Sequence, residues 1–214
     1  MLKQLWISAR MTLLLLLLVS GLYPLVVWGL SQGIFPKQAN GSLAVSAGGT
    51  VVGSRLLAQG FTKPQYFHPR PSAAGSGYDP TSSGGTNLGP TSAKLLTGVH
   101  NPKLADGKDD PANFDGVGDL AKAYRAENGL PADAPAPVDA VTRSASGLDP
   151  DISLPNAEAQ AARVAEARGV AVDDIRRLIQ TTAKGRGLGF LSEPRVNALE
   201  ANLNLDKQYP VNRH

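Results

Sequence analysis

Residues 11–36 read MTLLLLLLVSGLYPLVVWGLSQGIFP, and no charged side chain occurs between Arg10 and Lys37. A helix over these 26 residues, rising ~1.5 Å each, is about 39 Å long, more than the ~30 Å hydrocarbon core of a bilayer. Trp6 and Trp28 lie roughly 33 Å apart along such a helix, which suits one indole near each interface. Pro24 falls inside the span, where its missing N–H frees a carbonyl that a neighbouring helix can satisfy. A cleaved secretory signal is the rival reading. Its apolar core runs only ~7–15 residues, and Ser31-Gln32-Gly33 is a weak cleavage site. Lys3 and Arg10 precede the segment, and only Lys37 follows closely. The positive-inside rule therefore expects residues 1–10 in the cytoplasm, a transmembrane helix over 11–36, and residues 37–214 outside the inner membrane.

The full chain has 214 residues, a formal charge of +3 and no cysteine. The missing cysteines exclude a disulfide framework, thiolate metal ligation and a cysteine nucleophile. Residues 1–78 hold six Lys/Arg and no Asp/Glu, whereas residues 79–214 hold fifteen and eighteen. That division speaks against a uniform basic coat for nucleic acid.

Beyond the anchor, Ser42–Ala47 and Thr50–Leu57 flank Gly48-Gly49, the pattern of two strands about a tight turn. Seventeen of the 24 residues in Pro69–Ser92 are Gly, Pro, Ser or Thr, which excludes a regular helix or a central strand. Tyr66, Phe67, Tyr78 and Leu88 punctuate that region, so an ordered loop is expected rather than a tether. Leu120 and Tyr124 mark a short helix stopped by Gly129, and Pro131–Pro137 reads as an extended connector. Ser153 can cap a helix that starts with Pro155 in its first turn and ends at Gly169. A further helix is expected over about 172–184, burying Ile175, Leu178 and Ile179. Leu199, Ala201, Leu203 and Leu205 alternate with polar residues, which reads as a half-buried strand, although Val196, Leu199 and Leu203 also fit a helical stripe. The fold class is α+β: one N-terminal transmembrane helix followed by a single extracytoplasmic α+β domain.

No complete catalytic constellation is present. The histidines His68, His100 and His214 lack the spacing that would pair two imidazoles on one helix face, so no metal site is expected. Ser146 with His68 and Asp149 offers the residue types of a hydrolase triad, but the strained nucleophile turn needs glycines two residues to either side, and Thr142 and Arg143 precede Ser144. Ser146–Pro150 reads better as a tight turn before the capped helix. The one Gly-Lys pair, Gly107-Lys108, has Pro102 where a phosphate-binding loop needs its first glycine.

Several longer motifs carry a resemblance. Gly21–Leu25 lies in the span, Gln38–Leu43 follows it, and then come Gly53-Ser54, Gln59–Phe61, Tyr66–Ala73 and Ser83–Leu88. Val141-Thr142, Ser144–Asp149, Ile152-Ser153, Gln160, Arg163–Ala165, Val196-Asn197 and Leu203–Asp206 complete the series. In order and spacing the chain resembles the KdpC family, the C subunits of bacterial high-affinity potassium-transporting P-type ATPases. Arg143 and Asp151 depart from the family pattern, and residues 101–136 match little of it.

The resemblance implies a non-catalytic subunit that works with a channel-like potassium-binding subunit (KdpA), an ATP-hydrolysing P-type subunit (KdpB) and the small KdpF. It implies no intrinsic cofactor, with ATP reached only through the complex. P-type pumps are phosphorylated at the Asp of D-K-T-G, and here Asp206-Lys207 continues as Gln208-Tyr209. The family is described as a catalytic chaperone that raises the pump's ATP affinity through a glutamine. By position that residue is Gln160, with Arg163 beside it. The pair suits a nucleotide, or equally the Asp149 carboxylate and loop carbonyls. The resemblance and the topology together make Tyr23, Pro24, Tyr66, Phe67, Arg70, Gly84, Gly85, Asn87, Ser146 and Asp149 candidates for contact with partner subunits. An anchored periplasmic enzyme and a stand-alone binding protein remain the alternatives.

Overall fold

The computed structural model describes residues 1–46 and 48–211, so Ala47 and His214, both named above, lie outside the described residues. The chain divides into two compact units, Met1–Leu43 and Ala44 onward.

The first unit is dominated by one apolar helix over Leu2–Ile34, long enough to cross a membrane, with a mean hydropathy of 2.3 over an 18-residue window. It consists of α1 (Leu2–Leu16), a wide π-helical turn over Leu17–Leu22, and α2 (Tyr23–Ile34). The wide turn explains how Pro24 is accommodated. The Tyr23 N–H reaches back five residues to the Leu18 carbonyl, so the helix adjusts its own hydrogen bonding directly before the proline. Phe35 ends the helix in an extended conformation, and Pro36 opens the single turn α3 (Pro36–Ala39).

The second unit mixes short strands with helices. β1 (Leu43–Val45) and β2 (Val51–Ser54) form a two-stranded sheet, shorter than the sequence suggests. Gly49, at φ +81°, turns the chain between them. There follow α4 (Ala93–Thr97), α5 (Val117–Glu127), α6 (Val138–Val141), β3 (Asp151–Ser153), α7 (Leu154–Arg168), α8 (Val172–Thr182), β4 (Arg195–Asn197) and α9 (Ala198–Gln208). β3 and β4 pair antiparallel, with Ile152 opposite Val196. Each strand runs straight into a helix, and its last residue is that helix's cap. Ser153 Oγ accepts from the Asn156 N–H at 3.2 Å, and Asn197 Oδ1 accepts from the Glu200 N–H at 3.0 Å. Gly169, at φ +65°, closes α7 as expected.

The strand expected over residues 199–206 is a helix, α9. Ala198, Leu199, Ala201, Asn202 and Leu205 are its buried residues, spaced for one helical face. The alternation of leucines with polar residues is incidental to that stripe. The helical cap at Asn197 and the run of strong helix formers decide the outcome. Phe67, Ile152, Val164, Ile175, Ile179, Val196 and Leu205 form the main core between α7, α8, α9 and the β3–β4 pair. Tyr124, Ala140 and Val141 form a smaller cluster beneath α5 and α6.

Candidate functional site

The segment Tyr66–Ser72 has no regular structure of its own, yet it passes through the core, where side chains take both backbone groups of Phe67 and of His68. Asn202, on α9, accepts from the Phe67 N–H at 2.8 Å and donates to the Phe67 carbonyl at 2.9 Å. Gln160, on α7, does the same for the next residue: Oε1 accepts from the His68 N–H at 2.8 Å, and Nε2 donates to the His68 carbonyl at 3.1 Å. Two side-chain amides thus replace a neighbouring strand. The Phe67 ring between them is wholly buried.

Gln160 is 1% exposed, and both halves of its amide are saturated. Besides His68, Oε1 accepts from Arg163 at 2.7 Å and Nε2 donates to Asn156 Oδ1 at 2.9 Å. Every nitrogen of the Arg163 guanidinium also has a partner within the chain. Nε donates to Asn128 Oδ1 at 2.9 Å, and one terminal nitrogen spans the carbonyls of Pro64 and Tyr66 at 2.6 and 3.0 Å. Burial lowers the Arg163 pKa, with Glu127 and Tyr124 opposing that shift. Asp149 does not join this pair. It binds Arg70 at 2.8 Å instead, so the alternative partner expected for Gln160 and Arg163 belongs to another arginine.

Arg70 and Ser72 tie the segment to the Ser144–Asp149 turn. Ser72 Oγ donates to the Gly147 carbonyl at 2.6 Å and accepts from the Ala74 and Tyr78 N–H groups. Tyr78 donates to the Arg70 carbonyl at 2.8 Å, and burial pushes its hydroxyl up to about 12. Gly147 takes φ +68°. From the other side, the Gly84 N–H and Ser83 Oγ both donate to the Ser146 carbonyl, at 2.9 and 3.0 Å. Pro69–Ser92 is accordingly an ordered loop. Neither Gly84 nor Gly85 is left-handed; Asn87, at φ +51°, is. Gly85 serves by close approach, since a Cβ there would lie 3.0 Å from the Ala145 carbonyl oxygen.

The hydrolase residues are not assembled. The His68 ring faces Glu127 Oε1 at 2.7 Å and the Lys63 carbonyl at 3.0 Å. Ser146 Oγ accepts from the Leu148 N–H at 3.1 Å and lies 3.4 Å from Ser144 Oγ. His100, Asp115 and Asp119 do place one ligand atom each within 4.8 Å of one another, on an exposed surface. The His100–Asp119 ion pair at 3.0 Å and the Asp119 bond to the Gly116 N–H account for two of those three groups.

Other candidates are distributed as follows. Tyr23 and Pro24 are exposed on the apolar helix. Tyr66 donates to Asp206 at 3.1 Å under the Arg168 guanidinium, and burial with the Asp206 charge raises its pKa. Phe67, named above as a partner contact, is a core residue, because its ring has no surface to offer. The departures from the family pattern also have partners: Asp151 pairs with Arg195 at 2.7 Å, and Arg143 lies over the Phe114 ring at 4.3 Å. Sequence reasoning missed Asn202, which a strand would have turned to solvent. It also missed Asp139, whose carboxylate accepts from the Ser153 N–H, Ser153 Oγ and Asn156 Nδ2 at 2.7–2.9 Å.

Both amide groups of Gln160 and all three nitrogens of Arg163 are engaged within the chain. The fold and site define a class: one apolar helix able to cross a bilayer, joined to an α+β domain whose most heavily bonded residues brace its own framework. The family model for KdpC, "K+-transporting ATPase, c chain", matches residues 5–207. The chain is 45% identical over 209 residues to the potassium-transporting ATPase KdpC subunit of Koribacter versatilis, covering 98% of this chain and 97% of the relative. It is 46% identical over 205 residues to that of Mycobacterium tuberculosis, with 96% and 98% covered, and 48% identical over 189 residues to that of a Caulobacter species, with 88% and 86% covered. The chain belongs to the KdpC family.

Proposed function

We propose that this chain is an accessory, non-catalytic subunit of an ATP-driven potassium uptake pump, needed for assembly and for coupling the channel-like KdpA to the ATP-hydrolysing KdpB, with KdpF alongside. Residues 1–10 face the cytoplasm, 11–36 cross the inner membrane, and 37–214 fold on the outer side as a stabiliser or lid at the mouth of KdpA. Lys3 and Arg10 before the span support that orientation. The observation that carries the non-catalytic role is the engagement of Gln160 and Arg163 by the backbone of residues 64–68. ATP hydrolysis belongs to another chain, and any effect on ATP affinity is transmitted through the complex.

Three measurements test this. Protease added to intact spheroplasts should digest residues 38–214, and protection of that part refutes the orientation. Calorimetry of the full chain in detergent should show no ATP binding at physiological concentration. Omitting the chain from the reconstituted complex should abolish potassium-stimulated ATPase activity. Saturable ATP binding by the chain alone would overturn the non-catalytic reading of Gln160.

A further inference from the structure

Arg143 stands where two surface crevices meet. One, of about 470 Å³, is bordered by Arg70, Ser144, Ser146 and Asp149. The other, of about 710 Å³, runs along the loop from Gly85 to Gly89. Arg70 has its own carboxylate in Asp149 at 2.8 Å, while its Nε is buried without a hydrogen-bond partner among the described residues. Arg143 has no carboxylate within ion-pair reach among the described residues. One of its terminal nitrogens donates to the Asp115 carbonyl at 3.0 Å, and its remaining support is the Phe114 ring. Burial lowers its pKa, opposed by the more distant Asp115 charge.

A partly buried cation whose acidic neighbour lies beyond ion-pair reach is incompletely compensated, and an arriving anion recovers part of that penalty. The charges define the anion. Arg70 and Asp149 cancel, and Arg143, its charge only partly offset by the more distant Asp115, is suited to one carboxylate rather than to a doubly charged phosphate. Ser144 Oγ and Ser146 Oγ share one weak contact, so at least one of the two hydroxyls has its hydrogen free to donate.

We propose that this junction receives an acidic side chain from another subunit of the pump, with Arg143 as its ion-pair partner, Ser144 or Ser146 as a hydrogen-bond donor, and the Gly85–Gly89 crevice taking the flanking chain. The proposal rests on the chain being a subunit of an assembled pump. Arg143→Lys keeps the charge and supplies an amine. Carbodiimide treatment of the purified complex carrying it should couple residue 143 to an Asp or Glu of a different subunit, identified by mass spectrometry of the cross-linked peptides. Arg143→Glu should weaken retention of the chain in the complex about tenfold, read as release at lower salt, while Arg143→Lys stays near wild type. Coupling confined to this chain's own Asp115, Asp119 or Asp149, or an Arg143→Glu complex as salt-resistant as wild type, overturns the proposal. So does a result in which Arg143→Glu only reduces binding to phosphatidylglycerol vesicles and no subunit is coupled. Failure of the wild-type chain to co-purify with any other subunit would instead strike the subunit assignment itself.

Discussion

Replacing Gln160 with alanine should destabilise the domain by about 4 kcal/mol, from four buried hydrogen bonds at a net ~1 kcal/mol each. The bonds lost are the two to the His68 backbone, the one to Asn156 and the one from Arg163. The truncation also strands the His68 N–H and carbonyl inside the protein. Stranded groups raise the cost, and a water entering the vacated space returns part of it. Against a typical total stability of ~5–15 kcal/mol this is a large loss, and for a chain of this size it corresponds to a fall in Tm of roughly 10 °C. Gln160→Glu keeps both acceptor bonds but sets a carboxyl oxygen against the His68 carbonyl and Asn156 Oδ1 in a buried site, so it too should destabilise the domain. Thermal unfolding of the full chain in detergent, followed by circular dichroism, measures the stability loss, and calorimetry with ATP runs beside it. If Gln160→Ala leaves Tm unchanged while abolishing ATP binding that the wild-type chain shows, the structural account of this residue is wrong and the glutamine is a nucleotide ligand.

Gly85→Val would push a side chain against the Ala145 backbone, where even a Cβ sits 3.0 Å from the carbonyl oxygen and 3.2 Å from Cα; it should lower the yield of complex or its potassium-dependent ATPase activity, and unchanged values would return the loop to the status of a tether. Gly147→Ala meets both a left-handed φ of +68° and the neighbouring Gly84 carbonyl at 2.6 Å, so it should cost more than the ~1–2 kcal/mol of the backbone conformation alone, measurable by urea unfolding. Glu127 is held below its ordinary pKa of 4.5, first by the hydrogen bond from His68. Its contribution to stability is therefore complete above that value and is lost as pH falls through the lower folded pKa. Glu127→Gln should flatten the stability–pH curve below about pH 4.5 and change its slope little near neutrality.

Where structure follows from neighbours along the chain, the sequence was a good guide. Ser153, Pro155 and Gly169 delimit α7 by local chemistry, and the uncharged run after Arg10 announces a membrane-length helix. Residues 199–206 satisfy two periodicities at once, and the Asn197 cap together with burial of Asn202 alongside Leu199 and Leu205 distinguishes them. The role of Gln160 lay further out of reach. Its identity and its helix were legible, but its backbone partner is 92 residues away in a segment with no periodicity. The same holds for Asn202, 135 residues from Phe67. Pairings at such distances leave no mark in local composition, and a buried amide has the same letter as a ligand-binding one.

The two amides also explain how so little strand supports an ordered domain. β3 leads through a cap into α7, which carries Gln160; β4 leads through a cap into α9, which carries Asn202. Because β3 and β4 are paired to each other, the two helices are fixed at adjacent origins, and their amides grip adjacent residues, His68 and Phe67. The gripped segment then continues to Arg70 and Ser72, which hold the Ser144–Asp149 turn, and that turn holds Gly84. A change at Gln160 is thereby linked through covalent chain and hydrogen bonds to the turn beside Arg143, without passing through any ligand. Loss of function on substitution of Gln160 therefore does not by itself identify a nucleotide site. The distinguishing observation is whether the contact proposed at Arg143 weakens when Gln160 is replaced. Coupling of residue 143 to another subunit should fall in the Gln160→Ala, Arg143→Lys double variant, and persistence of full coupling would show that the two regions are mechanically independent.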